Sequence, residues 1–222
     1  MICTVRYISV TFKQMGPVRE MKPRKTRGRA GRPRSFDVNQ ALDRALLIFW
    51  RKGYEGASLS DLTEAMDINR PSLYAAFGDK ECLFRKTLDR YAEGPASYVQ
   101  EALSQPTARQ AIETLLRRSA DVLSHPRNPP GCLNVQGALA CGKGAEGIRR
   151  ELALRRAAGE AAICKRLKRG QAEGDLPPHT SPTDLARYVA TIMHGMSVQA
   201  AGGATRAELQ RVVRTALRAW PQ

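Results

Sequence analysis

The chain has 222 residues and a formal net charge of +15, an excess that predicts attraction to polyanions such as nucleic acid. Its five cysteines are odd in number and form no CxxC pair, which argues against a disulfide scaffold or zinc site, so no metal or cofactor is expected. No apolar run approaches the length of a membrane span and no signal peptide is evident, so we expect a cytoplasmic protein without a membrane partner.

Most of the positive charge lies at the N-terminus. Residues 1–35 hold ten Lys and Arg against one acid, whereas residues 36–90 hold eight against nine. The run Lys22–Arg34 is broken by Gly and Pro, so residues 1–35 are expected to form a flexible basic arm. Arg32 and Arg34 are its candidate contacts to DNA phosphates or to the minor groove. The alternative is a tail that only improves solubility.

The first predicted helix begins at Asp37, which forms a capping-box pattern with Gln40. Apolar residues then recur on one side at helical spacing, and Gly53 is expected to end the helix. Trp50 and Tyr54 could stack on bases, but at the end of a helix beside a small core they are expected to pack.

Two short helices joined by a tight turn are predicted between residues 58 and 80. Ser58 and Asp61 form a capping-box pattern at the start of the first, which must stop at Asp67. Asn69 can cap the second, and Pro71 falls within its first turn, where its missing N–H needs no partner.

The second of these helices has an apolar side and a polar side. Leu73 and Phe77 lie four residues apart and are expected to face inward. The residues left on the outer side are Arg70, Ser72, Tyr74 and Ala75. A short helix with a polar outer N-terminal face, braced by a preceding helix, is typical of a helix-turn-helix that enters the DNA major groove. The alternative is a plain helical hairpin in a core.

Three short runs in this part of the chain resemble the signature of the TetR family of bacterial transcriptional regulators. The runs are Leu73-Tyr74-x-x-Phe77-x-x-Lys80, the preceding Lys52-Gly53-Tyr54 and the following Lys80-Glu81-x-Leu83-Phe84. The resemblance covers about residues 36–91. It implies an all-α fold, with a three-helix helix-turn-helix DNA-binding domain at 36–91 and a larger helical ligand-binding and dimerisation domain at 92–222.

Two residues depart from the family pattern. Thr63 stands where the family often has Ala, so the contact between the two short helices is bulkier and their angle could differ. Asp67 stands where the family often has Gly, but Asp tolerates the left-handed conformation better than most residues, so the turn can form.

The candidate DNA contacts follow from this motif. Arg70 is the best candidate to recognise a base, because a guanidinium can bind guanine in a bidentate manner. Ser58, Ser60, Tyr74 and Lys80 are candidate phosphate contacts, and Pro71, Ser72 and Ala75 complete the face. Asp79 is expected to cap a fourth helix, whose N-terminus suits a phosphate and which links the two domains in this family.

The remainder, from Gly94-Pro95 onward, is predicted to be helical. A long helix from Ala145 to about Gly170 carries Arg155 and other basic residues on what is expected to be a solvated face. Two apolar helices follow within residues 181–220, which resemble the family's homodimerisation face. The alternative is that they only close the core of the monomer.

The larger domain is where the family binds small ligands, in an apolar cavity between helices. The candidate ligand contacts are Leu116, Ala120, Cys132, Gln136, Leu139, Met193, His194 and Gln199, each of which could equally be plain core. Cys132 or Cys141 could instead be a redox trigger, which requires an exposed thiol of low pKa.

Catalysis is not expected, because the three histidines have no motif partners and no Gly-rich phosphate loop, HExxH or GxSxG occurs. The sequence therefore predicts a homodimeric DNA-binding regulator, a repressor of an inverted-repeat operator that a small-molecule effector releases. One alternative is a ligand-independent architectural protein that relies on the basic arm. Another is a regulator switched by oxidation of a thiol.

Overall fold

The structure is a computed structural model and describes residues 36–139 and 143–221. Within these ranges the chain is helical and contains no strand, as the predicted all-α fold requires. The α-helices are α1 (Val38–Gly56), α2 (Leu59–Met66), α3 (Arg70–Phe77), α4 (Lys80–Glu93), α5 (Tyr98–Leu103), α6 (Ala108–Leu123), α7 (Leu133–Leu139), α8 (Glu146–Ala172), α9 (Pro182–Ala201) and α10 (Arg206–Arg218). A short 3-10 helix, Lys143–Ala145, precedes α8.

Side-chain caps begin each helix of the predicted helix-turn-helix. Ser58 and Asp61 exchange the two hydrogen bonds of a capping box at the start of α2. The Asn69 side chain accepts a hydrogen bond from the Ser72 amide at the start of α3. The Asp79 side chain accepts one from the Cys82 amide at the start of α4. These oxygens satisfy backbone amides that have no partner within the helix, so each boundary is fixed locally. All three predicted caps are confirmed.

The turn between α2 and α3 depends on Asp67. This residue adopts the left-handed conformation, with φ 54° and ψ 48°, and its amide donates to the carbonyl oxygens of Thr63 and Glu64. The Thr63 hydroxyl donates to the carbonyl oxygens of Leu59 and Ser60, at 2.9 and 3.1 Å, so its polar group is satisfied within α2. The predicted turn therefore forms with aspartate in place of the family's usual glycine.

The regular helix that begins α1 stops at Gly53, as predicted. Gly53 has φ 69° and ψ 179°, which interrupts the helix, but a further helical turn continues to Gly56. Gly53 therefore separates the long first part of α1 from a short final turn. Glycine suits this position because it lacks the Cβ that disfavours positive φ in other residues.

Aromatic rings fill the core around α4. Phe84 packs edge-on against Phe49 and Tyr54, with ring centroids 4.9 and 5.3 Å apart. Trp50 packs edge-on against Tyr91 at 4.8 Å, and its Nε1 donates to the Gly131 carbonyl oxygen at 2.9 Å. Trp50 is thus a buried packing residue, as expected, and it ties α1 to the loop before α7.

A second core lies among α6, α8, α9 and α10, where buried Leu, Ile, Val and Ala side chains meet. Its members on α8 include Ile163 and Leu167, on the apolar face that the sequence predicts. Within the described ranges, none of the helices is both long and apolar enough to cross a membrane.

Candidate nucleic-acid interface and internal cavity

The outer face of α3 consists of Arg70, Pro71, Ser72, Tyr74 and Ala75. All are exposed except Ser72, which is half-buried. The Tyr74 ring is 48% exposed, which is high for an aromatic side chain in a helix. Leu73 and Phe77 on the opposite side are buried, so the predicted division into inner and outer faces is confirmed.

Short polar contacts brace this face against α2. Arg70 Nη2 donates to Ser60 Oγ at 3.2 Å, which places a predicted base contact beside a predicted phosphate contact. Asp61 of α2 pairs with Lys52 of α1, Nζ to Oδ1 2.8 Å. The hydrogen bond from Lys52 and those from Ser58 lower the pKa of Asp61 to about 2. The carboxylate is thus ionised at neutral pH and joins α1 to α2.

Lys80 lies at the first position of α4. Its Nζ sits 4.6 Å from the centre of the Tyr54 ring, a cation–π contact, and its burial lowers its pKa. The side chain is half-buried. The two predicted arm contacts, Arg32 and Arg34, lie outside the described residues.

An internal cavity of about 140 Å³ lies between α4, α5, α6, α7, α8 and α9. Its lining combines apolar side chains with hydroxyl, thiol, amide and charged groups. Its lining residues include Tyr91, Tyr98, Val99, Leu115, Ser119, Leu123, Cys132, Asn134, Val135, Arg155, Arg156, Glu160, Ile163, Met193 and His194. A partly open cavity with an apolar lining and a few polar groups has the character of a small-molecule site.

Three of the predicted ligand contacts meet in this cavity, namely Cys132, Met193 and His194. Leu116 and Ala120 lie instead in the core between α6 and its neighbours. Gln136 donates from Nε2 to the Ser197 carbonyl oxygen at 3.3 Å.

Two more of the predicted ligand contacts lie elsewhere. Gln199 lines a separate surface groove between α9 and α10. Leu139 is the last residue of α7, and its side chain lies outside what the structure describes.

Several cavity residues were missed by sequence reasoning. Arg155 was expected on a solvated face, but it is half-buried, lines the cavity and pairs with Asp89 of α4 at 2.7 Å. Tyr91 and Tyr98 flank the Gly94-Pro95 break between α4 and α5, and both rings turn into the cavity. Their closeness to this helix break was the only feature of the sequence that could have indicated their place in the cavity. Nothing in the periodicity of α8 distinguished Arg155 and Arg156 from the exposed Arg residues.

Burial governs the titratable groups of the cavity. It raises the pKa of the Cys132 thiol, which therefore stays protonated at neutral pH despite the hydrogen bond from the Tyr91 hydroxyl. It also lowers the pKa of His194, as does the nearby Arg156 guanidinium, so the imidazole is neutral. A protonated, enclosed thiol is a poor nucleophile, which disfavours the redox-trigger hypothesis for Cys132. Cys141 lies outside the described residues.

The groove between α9 and α10 is lined partly by Met196, Leu209 and the half-exposed Val212. Tyr188 and Val198 of α9 are also strongly exposed for apolar side chains, at 41% and 46%. Exposed apolar side chains of this size on one segment favour a protein–protein contact. The groove lies within the segment predicted to dimerise.

Two family models match this chain. "Bacterial regulatory proteins, tetR family" matches residues 41–87, which contain the helix-turn-helix, and "Tetracyclin repressor-like, C-terminal domain" matches residues 106–216, half of the chain. The chain belongs to the TetR family. It is therefore a DNA-binding transcriptional regulator, as its helix-turn-helix predicted, and its relatives are regulators rather than enzymes.

Known TetR proteins resemble it over most of its length. The HTH-type transcriptional repressor ComR of Escherichia coli K12 is 36% identical over 86% of this chain and 92% of ComR. The TetR regulator CifR, as a cysteine variant in complex with 26 bp double-strand operator DNA, is 44% identical, with a TM-score of 0.83 over 86% of this chain and all of CifR. A TetR regulator from Chloroflexus aurantiacus, 20% identical with a TM-score of 0.72 over 81% and 91% of the chains, shares the fold.

Proposed function

We propose that this TetR protein represses transcription by binding an inverted-repeat operator as a homodimer, and that a small molecule in the internal cavity releases it. The exposed outer face of α3 is the observation that carries the proposal, because it presents Arg70 and Tyr74 on a helix whose first residue is hydrogen-bonded to α2. The names of ComR, a repressor, and of CifR in complex with operator DNA support it. Since its target is chromosomal DNA, we place the protein in the cytoplasm.

Arg70 is proposed to recognise a guanine in the major groove. Its guanidinium donates one hydrogen bond to Ser60, which directs it toward the N-terminal part of α2. Four of its five N–H donors stay available, which is enough for a bidentate contact. Pro71 and Ala75 would offer apolar contact to base edges, while Ser58, Ser60, Ser72, Tyr74 and Lys80 would set the register on the phosphates.

The chain is proposed to divide into a DNA-binding domain, residues 36–91, and a ligand-binding domain, residues 92–222, so that a ligand in the second can change DNA binding by the first. Helix α4 belongs to both parts, because Phe84 packs against α1 while Tyr91 lines the cavity. A ligand that binds more tightly to a form with a different position of α4 shifts the population toward that form. In a dimer, such a shift changes the spacing of two α3 helices that must enter successive major grooves.

The homodimer is proposed to form through residues 181–220. The α9–α10 groove and the exposed Tyr188, Val198 and Val212 would be covered by the same residues of a second copy. A two-fold contact of this kind is self-complementary and produces two α3 helices related by symmetry, which an inverted repeat requires. The basic arm, with Arg32 and Arg34, is proposed to add contacts that do not depend on sequence.

Footprinting on the DNA that flanks the coding region of the protein tests the proposal. A single protected palindrome supports the operator-binding repressor. Uniform protection of all fragments at low salt would instead favour the architectural alternative and overturn the proposal.

Replacing Arg70 tests the proposed base contact. Arg70→Ala should weaken binding to the operator by about 1–3 kcal/mol, since one bidentate base contact is lost, with little effect on random DNA. Arg150→Ala is the matched control, because Arg150 is an exposed arginine on α8. Fluorescence anisotropy on operator and scrambled duplexes measures both. Equal losses on the two duplexes would remove Arg70 from base recognition.

A further inference from the structure

The charged groups that line the cavity differ in whether a partner neutralises them. Glu160 pairs with Arg187, Oε1 to Nε 2.8 Å. Arg155 pairs with both Asp89 and Glu151, each at 2.7 Å. These charges therefore already have counterions in the free protein.

Arg156 is the exception. Its Nη1 donates to the carbonyl oxygen of Asn134 at 2.8 Å, and no carboxylate within residues 36–139 and 143–221 forms an ion pair with it. The side chain is half-buried and lines the cavity beside the neutral His194. A partly desolvated cation without a counterion is unfavourable, so the cavity has an unmet preference for negative charge at this point.

The rest of the cavity limits the size and polarity of an occupant. Its volume of about 140 Å³ is close to that of a cavity known to hold benzene, about 150 Å³. Leu115, Ile163 and Met193 form an apolar surface that suits a compact hydrocarbon body. The occupant should therefore be one small apolar group that carries one anionic end.

We propose that the cavity binds a small monocarboxylate of about benzoate size, with its carboxylate on the Arg156 guanidinium and its hydrocarbon body against Leu115 and Ile163. A planar guanidinium matches a carboxylate through paired hydrogen bonds, which gives the site its preference for acids over alcohols or amides. This inference rests on the proposed effector role of the cavity and names the chemical class of the effector.

Isothermal titration calorimetry on the full-length, DNA-free protein tests it, with sodium benzoate as the probe and benzyl alcohol as a neutral probe of similar size. We expect benzoate to bind about ten-fold or more tightly than benzyl alcohol, because a hydrogen bond to a charged group contributes more than one between neutral groups. Arg156→Met should abolish this preference. Arg150→Met, on an exposed face of the same helix, should leave it intact.

Three results would overturn the proposal: equal affinities for the two probes, a preference for benzoate that survives in Arg156→Met, or no binding of either probe. Arg156→Lys retains the positive charge, so this variant should keep part of the preference for benzoate. It also serves as a control for misfolding of the Arg156→Met variant. Footprinting of the same preparations without benzoate reports operator binding separately. A clear footprint with no benzoate binding would refute only this inference, whereas loss of the footprint would refute the proposed function.

Discussion

The outer face of α3 and the internal cavity are held in shape by different kinds of contact. The face depends on bonds between residues close in sequence, such as the Ser58–Asp61 capping box and the bond from the Ser72 amide to Asn69. The cavity depends on groups far apart in sequence, such as Trp50 with Gly131 and Arg155 with Asp89. The comparison teaches that a motif can specify a recognition surface locally, whereas a binding cavity exists only when several helices have packed.

The largest loss of stability should come from the core around α4, the helix that begins beside α3 and carries Tyr91 to the cavity. Phe84→Ala removes a fully buried ring between Phe49 and Tyr54 and should lower the free energy of unfolding by about 3–5 kcal/mol. Urea unfolding at a fixed protein concentration measures it, since a dimer's stability depends on concentration. Tyr74→Ala, which truncates an exposed ring, should change stability little. Similar losses in the two variants would contradict the importance of the buried Phe84 ring for stability.

A smaller loss of stability should follow when one hydrogen bond between residues far apart in sequence is removed. Trp50→Phe keeps an aromatic ring but leaves the Gly131 carbonyl oxygen without its buried donor, so a loss of about 1–3 kcal/mol is expected. Urea unfolding followed by circular dichroism measures the loss. A variant as stable as the parent would show that this bond is not needed to hold α1 against the loop before α7.

The turn between α2 and α3 tests the local side of the comparison. Asp67→Ala should cost about 1–2 kcal/mol, because alanine adopts the left-handed conformation less readily than aspartate. Asp67→Gly should be close to neutral, since glycine adopts it freely but loses more entropy on folding. Thermal unfolding of both variants gives the difference. If alanine and glycine were equivalent here, backbone conformation would not be what Asp67 provides.

The smallest effect should be the pH dependence of the Asp61 pairings. The bonds from Lys52 and Ser58 lower its pKa in the folded protein to about 2, below the ordinary 3.8. The folded state thus favours the ionised form, so the contribution is fully present above pH 3.8 and is lost as the pH falls through about 2. The groups are exposed, so the contribution is screened and modest.

Asp61→Asn provides the comparison for that effect. The difference in unfolding free energy between parent and variant should shrink as the pH is lowered from neutral toward 2. Chemical unfolding at a series of pH values measures this difference. A difference that stayed constant through this range would argue against a titrating role for Asp61.

The sequence by itself determined the all-α fold, the starts of α2, α3 and α4, and the family. It could do so because caps, turn residues and apolar spacing act within one or two helical turns, so Ser58, Asp67 and Asn69 carry their own structural information. The inner and outer sides of α3 followed from the four-residue spacing of Leu73 and Phe77 in the same way.

Only the tertiary structure decided which side chains form the cavity. Leu116 and Met193 are both apolar residues on predicted helices, yet only Met193 lines it, because the rotation of each helix depends on the helices packed against it. Likewise, Arg150 and Arg156 are alike in sequence, but packing exposes one and leaves the other at the cavity without a carboxylate partner among the described residues. Periodicity along one helix carries no information on what neighbouring helices place opposite each residue.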